Sequence, residues 1–321
     1  MKAEDEAETV LPANLFSTSL FEPILSSFSS DLSLYDQIMN QIDPARFASL
    51  HKKEKGSVAG LSFLDGGIYE QKLSIAGRTS VKTDLITKNL AIAGSARIKG
   101  MVASSEKSSI AGSITIDENA LFGGPLSIGG RLSVGGNLVL SGGLRLGGRV
   151  TVNDYVVADS PLKINGTLIT KSIRTNDLLE LKGKISVQED VIAKTIELKD
   201  GSGIIEGNLY ASDIKLIRDE STGKDLTSAL GLFSYIKDVL IRTIRGMSSS
   251  NLQVNGHVIA DHVTLDNITI GGDLYIKSGK LGPNTRIKGT VYYLDSLESE
   301  TANHIQSQKG FPETLADPSM K

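Results

Sequence analysis

A six-residue repeat runs through the centre of the chain and constrains its fold more than any other feature. Counting in sixes from Leu90 to Thr170 gives 14 pairs of positions, in which the second member lies two residues after the first. Of these 28 positions 25 are apolar, whereas 40% hydrophobic residues overall would supply about 11. The stretch "LSIGGRLSVGGNLVLSGGLRLGGRVTV" (126–152) shows the pattern directly. Because an internal repeat decides the whole fold, this one determines the architecture within which any active site would have to lie.

The spacing within each pair predicts a β-strand. Residues two apart point to the same face of a strand, so each pair indicates a short strand with both apolar side chains inward. A six-residue step does not keep one face of a helix. Short strands joined by tight corners leave no room for hairpins, so the chain is expected to coil. We predict an all-β fold, a parallel triangular β-helix (β-solenoid) of about 18 residues per coil. One inserted α-helix and a partly helical or disordered N-terminal segment are expected to accompany it.

The corners of the predicted coil are marked by glycine. We expect glycine there because the chain must bend and a positive φ is cheap for this residue. The segment "DGSGIIEG" (200–207) is expected to form a looser corner, and the whole repeat predicts about ten coils, a rod of about 50 Å. The corner glycines lie at positions 94, 100, 112, 124, 130, 136, 142, 148 and 166.

The composition agrees with a narrow aliphatic interior. Only 5% of the residues are aromatic and Trp is absent, as expected where branched aliphatic side chains stack inside a triangle. The absence of Cys excludes disulfides and thiolate metal sites. A net charge of −3 gives no general attraction to nucleic acid or acidic lipid.

The pattern divides the chain into five parts. We predict a partly helical N-terminal segment (1–60), the solenoid core (61–220), an inserted amphipathic helix (221–250), a continuation of the solenoid (251–295) and a disordered tail (296–321). The inserted helix is expected to pack on the solenoid, to contact another subunit or to lie on a membrane surface. Its apolar stripe consists of Leu226, Leu230, Phe233, Ile236, Leu240 and Ile244.

No catalytic, cofactor or metal site is predicted. The chain has neither a phosphate-binding G-x-x-x-x-G-K-[ST] loop nor a G-x-S-x-G elbow. Its four histidines lie at 51, 257, 262 and 304, and His257 and His262 alone would not complete a zinc site. A hexapeptide-repeat acyltransferase or zinc enzyme is therefore an unfavoured alternative, and we expect a protein that is not an enzyme. The first residues, "MKAEDEAETVLPANLF", do not resemble a secretory signal, so the expected location is cytoplasmic.

The core also resembles a known family. The run from about 73 to 219, with segments such as "KINGTLITKSIRTNDLLELKGKISVQEDVIAKTIELKDGSGIIEGNLYASDIKL" (163–216), resembles the bactofilins, prokaryotic cytoskeletal proteins with a triangular β-helical core. The resemblance implies assembly without nucleotide into non-polar filaments joined at the ends of the rod. It also implies a membrane-associated scaffolding role in cell shape, wall synthesis or chromosome positioning.

The first functional hypothesis is accordingly a self-assembling structural scaffold. Its expected partners are further copies of itself and possible contacts with the membrane surface or envelope proteins, without nucleic acid or nucleotide. A second hypothesis is a virus tail-fibre or surface-adhesin protein, because "NLQVNGHVIADHVTLDNITIGGDLYI" (251–276) resembles repeats in such fibres. The predicted polymerisation interface consists of the terminal-coil residues Leu73, Ile75 and Val81 at one end and Ile287, Val291 and Tyr293 at the other.

Overall fold

The computed structural model describes residues 50–54, 56–199, 201–216, 252–300 and 306–311. These residues form 31 parallel β-strands that coil into a β-solenoid, so the predicted fold class is confirmed. The predicted N-terminal helix and the inserted helix at 221–250 lie outside the described residues.

The strands of the first seven coils are three or four residues long for the most part, with β1 shorter and β4 and β6 longer. They are β1 (Lys52–Lys53), β2 (Gly56–Val58), β3 (Leu61–Leu64), β4 (Gly67–Ile75), β5 (Arg78–Val81), β6 (Leu85–Ile92), β7 (Ser95–Ile98), β8 (Val102–Ser104), β9 (Ser108–Ile110), β10 (Ser113–Ile116), β11 (Ala120–Phe122), β12 (Leu126–Ile128), β13 (Arg131–Val134), β14 (Leu138–Leu140), β15 (Leu144–Leu146), β16 (Arg149–Val152), β17 (Tyr155–Ala158), β18 (Leu162–Ile164) and β19 (Thr167–Thr170).

The later coils contain longer strands. They are β20 (Ser172–Leu181), β21 (Lys184–Val187), β22 (Val191–Leu198), β23 (Ser202–Ile205), β24 (Leu209–Leu216), β25 (Leu252–Val254), β26 (Val258–Leu265), β27 (Ile268–Ile270), β28 (Leu274–Leu281), β29 (Arg286–Ile287), β30 (Val291–Ser299) and β31 (Ser307–Lys309).

Three ladders of parallel strands form the faces of the prism. Face I is a sheet of 12 strands that begins with β3 and ends with β29. Face II begins with β1 and ends with the start of β30, on which β31 pairs. Face III begins with β2 and ends with the second half of β30. The 12 strands of face I correspond to 12 turns, two more than the repeat predicts, and give a rod on the order of 55 Å long.

The length of a turn varies along the rod. In the centre equivalent residues are 18 apart, as in the pairs Ile114–Leu132 and Leu132–Val150. Near the first coil they are 17 apart, since Leu61 pairs with Arg78. In the shorter turns one strand, such as β6 or β22, continues around the corner from face II to face III. The sequence pattern itself predicts five-residue in place of six-residue steps at 85–90, 168–173, 191–196 and 209–214. The first, third and fourth of these lie within β6, β22 and β24, and 168–173 spans the corner between β19 and β20.

The lumen is lined as the repeat predicts. All 28 paired positions from Leu90 to Thr170 are buried. The three polar ones are hydrogen-bonded, as buried polar groups require. Ser104 Oγ lies 2.8 Å from Ser108 Oγ, and Thr170 Oγ1 donates to the carbonyl oxygen of Asp154 at 2.8 Å. These hydroxyls therefore fit the lumen because each finds a partner at a corner.

The predicted reason for the corner glycines is wrong. Among the described glycines, positive φ occurs at 60, 66, 67, 203 and 310, none of which is a glycine of the repeat. At each repeat glycine a Cβ would instead overlap an atom of the preceding coil. At Gly148, for example, it would meet the carbonyl oxygen of Gly130. Glycine is required by the close stacking of successive corners, not by a left-handed backbone.

The boundaries of the solenoid differ from those predicted. Strand pairing begins at Lys52, before the predicted start at 61. The segment predicted as a looser corner contains β23, which pairs with β21. The predicted disordered tail from 296 includes the end of β30 and all of β31, so that prediction is wrong for these residues. Residues 217–251 interrupt the ladder between β24 on face III and β25 on face I.

Candidate functional site

The predicted interface residues at the N-terminal end do not lie at the end. Leu73, Ile75 and Val81 are buried in the second coil. β2 pairs with Leu73–Ile75, and β3 pairs with the strand that contains Val81. Two inward positions of the first coil are occupied by Gly56 and Ser62, which are not large apolar residues. The apolar pairs of this coil are therefore incomplete, and the six-residue repeat does not detect the first coil.

The predicted residues at the C-terminal end are closer to the surface. Val291 is buried and Tyr293 is half-buried, because β31 pairs with Val291–Tyr293. Ile287 ends β29, the last strand of face I among the described residues, and is half-buried. Of the three residues predicted at this end, Ile287 therefore lies at an open strand edge, whereas Val291 and Tyr293 are covered by β31.

The apolar lumen is partly open at both ends of the rod. Five half-buried hydrophobic residues pack against the central core, and every one belongs to the first coil or the last. Within the first coil, Leu61 and Phe63 also point outward from face I with 73% and 72% of their surface exposed. Among the described residues, the ends are thus where the apolar lining of the lumen meets solvent. The five residues are Val58, Leu64, Ile287, Tyr293 and Leu297.

A ladder of polar side chains follows the corner between faces I and II. The main-chain N–H of Asn137 donates to Asn119 Oδ1 at 2.8 Å, and that of Tyr155 donates to Asn137 Oδ1 at 3.1 Å. In each case a side chain accepts a hydrogen bond from the equivalent residue of the next coil. Sequence reasoning missed this ladder, although Asn or Asp immediately before the first apolar position is a signal that could have found it.

The same ladder accounts for the hydrogen bonds of His257. Its main-chain N–H donates to Asn208 Oδ1 at 2.8 Å, and its Nδ1 accepts from the main-chain N–H of Asp273 at 2.9 Å. The network therefore assigns the ring proton to Nε2. His262 Nδ1 lies 2.8 Å from Ser278 Oγ on face III. The two histidines thus make separate contacts, and no group of three metal-ligating side chains occurs among the described residues.

A carboxylate on face III is surrounded by lysines. Glu180 is largely buried, and its carboxylate oxygens lie 3.1 Å from Lys182 Nζ, 3.4 Å from Lys163 Nζ and 3.9 Å from Lys199 Nζ. The hydrogen bond from Lys182 in particular lowers the pKa of Glu180, against the opposing effect of burial. The cluster links three successive coils electrostatically and stabilises their register.

The outward positions of face II are mostly apolar, a feature that sequence reasoning also missed. In each strand the residue between the two lumen positions points outward. We call the column of these residues from β4 to β30 on face II the outer stripe. Its charged member is Arg174, and Lys52 of β1 lies in register before its first residue. The stripe consists of Ile68, Ile86, Ala103, Leu121, Val139, Val157, Arg174, Ile192, Tyr210, Ile259, Tyr275 and Tyr292.

Aromatic rings continue the outer stripe toward the C-terminal end. The rings of Tyr275 and Tyr292 stack with centroids 5.0 Å apart. The hydroxyl of Tyr275 donates to Asp273 Oδ2 at 3.0 Å. Burial and this carboxylate both raise the pKa of Tyr275. The pair therefore adds apolar surface to the stripe while keeping its polar end hydrogen-bonded.

The stripe predicted on the inserted helix, Leu226 to Ile244, lies outside the described residues. The described part of the chain has no helix that is long and apolar enough to cross a membrane. Comparison with known proteins found no match among protein-family models, curated proteins or solved structures. The features of the rod that bear on function are therefore its ends and its faces.

Proposed function

We propose that the protein is a non-enzymatic structural scaffold, similar to a bactofilin, that assembles end to end into filaments without nucleotide. The observation that carries this proposal is the opening of the lumen at both ends. Val58 and Leu64 at one end and Ile287 and Leu297 at the other pack on the core but stay partly exposed. Stacking one rod on another would remove this apolar surface from water.

Unpaired strand edges support the same proposal. Among the described residues no strand lies beyond β3 on face I, and none lies beyond β29 at the other end of that face. Such edges present free main-chain donors and acceptors that another strand can pair with. Rods stacked end to end would continue the strand ladder from one molecule into the next.

The location of the filament follows from the proposed role. We place the scaffold in the cytoplasm, where it would organise partners at the membrane or cell envelope. The open ends are used for self-association, so partners would bind the faces of the rod. Because the same faces recur in every copy, a filament would present them at regular intervals.

Negative-stain electron microscopy and analytical sedimentation of the purified full chain test the proposal. We expect fibres about as wide as one prism in nucleotide-free buffer. Monodisperse monomers at every salt and protein concentration would contradict it. The fibre width should match a single rod, because stacking uses only the ends.

Variants at the two ends determine how the rods join. We expect Leu64→Lys and Ile287→Lys each to abolish fibres, because each places a charge at an apolar opening. The matched control is Ser57→Lys, which adds the same charge at an outward position of the first coil. Non-polar filaments, which the bactofilin resemblance implies, predict that a variant blocked at one end still forms dimers through the other. Head-to-tail filaments predict monomers for either variant. Fibres that survive both lysine variants would refute assembly through the ends.

A further inference from the structure

The middle of the outer stripe is more deeply buried than an outward position of a bare sheet allows. Leu121 is 1% exposed, Val139 is 2% exposed and Ile192 is 3% exposed. An outward side chain in a ladder has neighbours about 4.8 Å above and below it but none on its outer side. Burial this complete requires chain that is not part of the ladder.

The other two faces provide the comparison. At the same strand position of face III, Arg145 and Lys163 are exposed. On face I, Ser133 and Thr151 are half-buried. The backbone geometry of the three faces is equivalent. The buried outward residue of face III, Glu180, is enclosed by lysines of its own and adjacent coils, whereas the low exposure of apolar outward residues on face II indicates a cover on that face.

The path of the chain indicates which segment supplies the cover. Residues 217–251 leave face III after Leu216 and return on face I at Leu252, at the corner opposite face II. Residues 1–49 instead lead directly into β1, the first strand of face II. The N-terminal segment is therefore the one that begins beside the outer stripe.

The N-terminal segment is long enough to reach the buried part of the stripe. From β1 to β22 there are eight coil steps of about 4.8 Å, or about 38 Å. A helix of about 25 residues spans that distance, and an extended chain needs about 12 residues. The 49 residues before Leu50 are sufficient in either conformation.

The composition of the segment suits an apolar surface. Residues 1–49 contain four of the eight phenylalanines of the chain. Within "LFSTSLFEPILSSF" (15–28), apolar residues recur every four positions at Phe16, Leu20, Ile24 and Phe28. Such spacing is typical of one apolar face. The segment also has eight acidic and two basic residues, so the rest of the chain carries −3 − (2 − 8) = +3, which favours the association electrostatically.

We propose that residues 1–49 dock on the outer stripe of face II between β11 and β22 and cover it within the same molecule. The segment would cover the outer stripe where its residues are least exposed, leaving the more polar outer columns of faces I and III for partners. This contact is separate from assembly through the ends, so either proposal can fail without the other.

Site-specific photo-crosslinking of the full chain tests the docking. Benzoyl-phenylalanine placed at Val139 or, in a second variant, at Val157 should crosslink to peptides of residues 1–49 of the same molecule, identified by mass spectrometry. The matched control carries the same group at Arg145, an outward position of the same coil on face III, and should give no such product. Crosslinks to residues 217–251, crosslinks between two copies, or no crosslink from either position would overturn the proposal.

Hydrogen exchange provides a second measurement on the intact chain. We expect Val139→Lys to accelerate amide exchange within residues 15–47 by at least tenfold, while the ladder amides of faces I and III stay protected. Ser127→Lys, an outward change on face III, should leave exchange in the N-terminal segment unchanged. Exchange in that segment that is already unprotected in the parent protein, or that does not respond to Val139→Lys, would contradict the docking.

Discussion

Two neighbouring strands of one coil show how the faces of this solenoid differ. β14 on face II reads Leu-Val-Leu, and β15 on face III reads Leu-Arg-Leu. The four leucines point into the lumen and are all buried. The middle residues diverge, because Val139 is buried whereas Arg145 is exposed. The lumen is therefore common to all faces, and the outward residue alone gives each face its own chemistry.

The same contrast continues along the rod. The outward residues of face II are mostly apolar, and those of face III include Lys163, Glu180 and Lys280. A six-residue period shows which residues point inward but repeats identically on three faces. Separating the faces needs the 18-residue period, which the chain interrupts with turns of 16 and 17 residues.

The largest expected change in the free energy of unfolding is at the lumen-facing leucines, which β14 and β15 have in common. Leu140→Ala and Leu146→Ala should each lower the free energy of unfolding by about 2–5 kcal/mol, because each leaves a cavity in the close-packed lumen. Arg145→Ala, next to Leu146 in β15 but exposed, should change it by less than about 0.5 kcal/mol. Urea denaturation followed by circular dichroism measures all three. Unequal costs for the two leucines would show that the faces differ inside as well as outside.

The corner that follows β15 tests the stacking of the coils. Gly148→Ala should cost about 1–3 kcal/mol, since its Cβ would overlap the carbonyl oxygen of Gly130 and the coils would have to move apart. At the adjacent Gly147 the nearest atom to a Cβ is 3.8 Å away, so Gly147→Ala should be close to neutral. Thermal denaturation of the two variants compares them. Equal melting temperatures would argue against close approach as the reason for glycine here.

The corner that precedes β14 tests the polar ladder. Asn137→Ala should cost about 1–2 kcal/mol, because it leaves the main-chain N–H of Tyr155 without its acceptor. Asn153→Ala, an exposed asparagine one coil later, serves as the control and should have little effect. Chemical denaturation measures the difference. Equal effects of the two substitutions would exclude a stabilising role for the ladder.

The smallest expected effect is at the charged column of face III. The pKa of Glu180 is lowered in the folded protein, so its carboxylate contributes stability above the unfolded-state pKa. That contribution is lost as the pH falls through the folded-state pKa. Glu180→Gln should therefore cost at most about 1 kcal/mol at neutral pH, with the difference vanishing in acid and shrinking in high salt. A difference that persisted at pH 2 would point to packing instead of charge.

The sequence predicts the lumen well and the ends poorly, for a physical reason. Inward positions such as Leu132 and Val134 must be apolar in every coil, so they repeat and can be counted. The first coil has Gly56 and Ser62 at inward positions, so the apolar repeat does not detect it. The predicted interface is therefore assigned one coil too late, to Leu73, Ile75 and Val81. Coils near an end have only one neighbour, so the requirement for apolar pairs is weaker there.

The outer stripe and the polar corner ladder are not predicted from the sequence, for a different reason. Val139 and Asn137 each belong to a column that recurs once per turn, whereas the lumen pairs recur three times per turn. Neither column has a strict residue type, because the stripe includes Arg174 and the corner ladder includes His257 as well as Asn and Asp. Such columns become visible only after the register between coils is known.

Disulfide trapping in this cysteine-free chain tests the coiled architecture most directly. Ser127 and Arg145 are directly paired on adjacent strands of face III, so the S127C/R145C variant should form an intramolecular disulfide on mild oxidation. Ser127 and Ser133 are six residues apart but point outward from different faces, so S127C/S133C should remain reduced. Ready oxidation of S127C/S133C with no bond in S127C/R145C would show neighbouring repeats side by side, as in an antiparallel meander, and would contradict the solenoid.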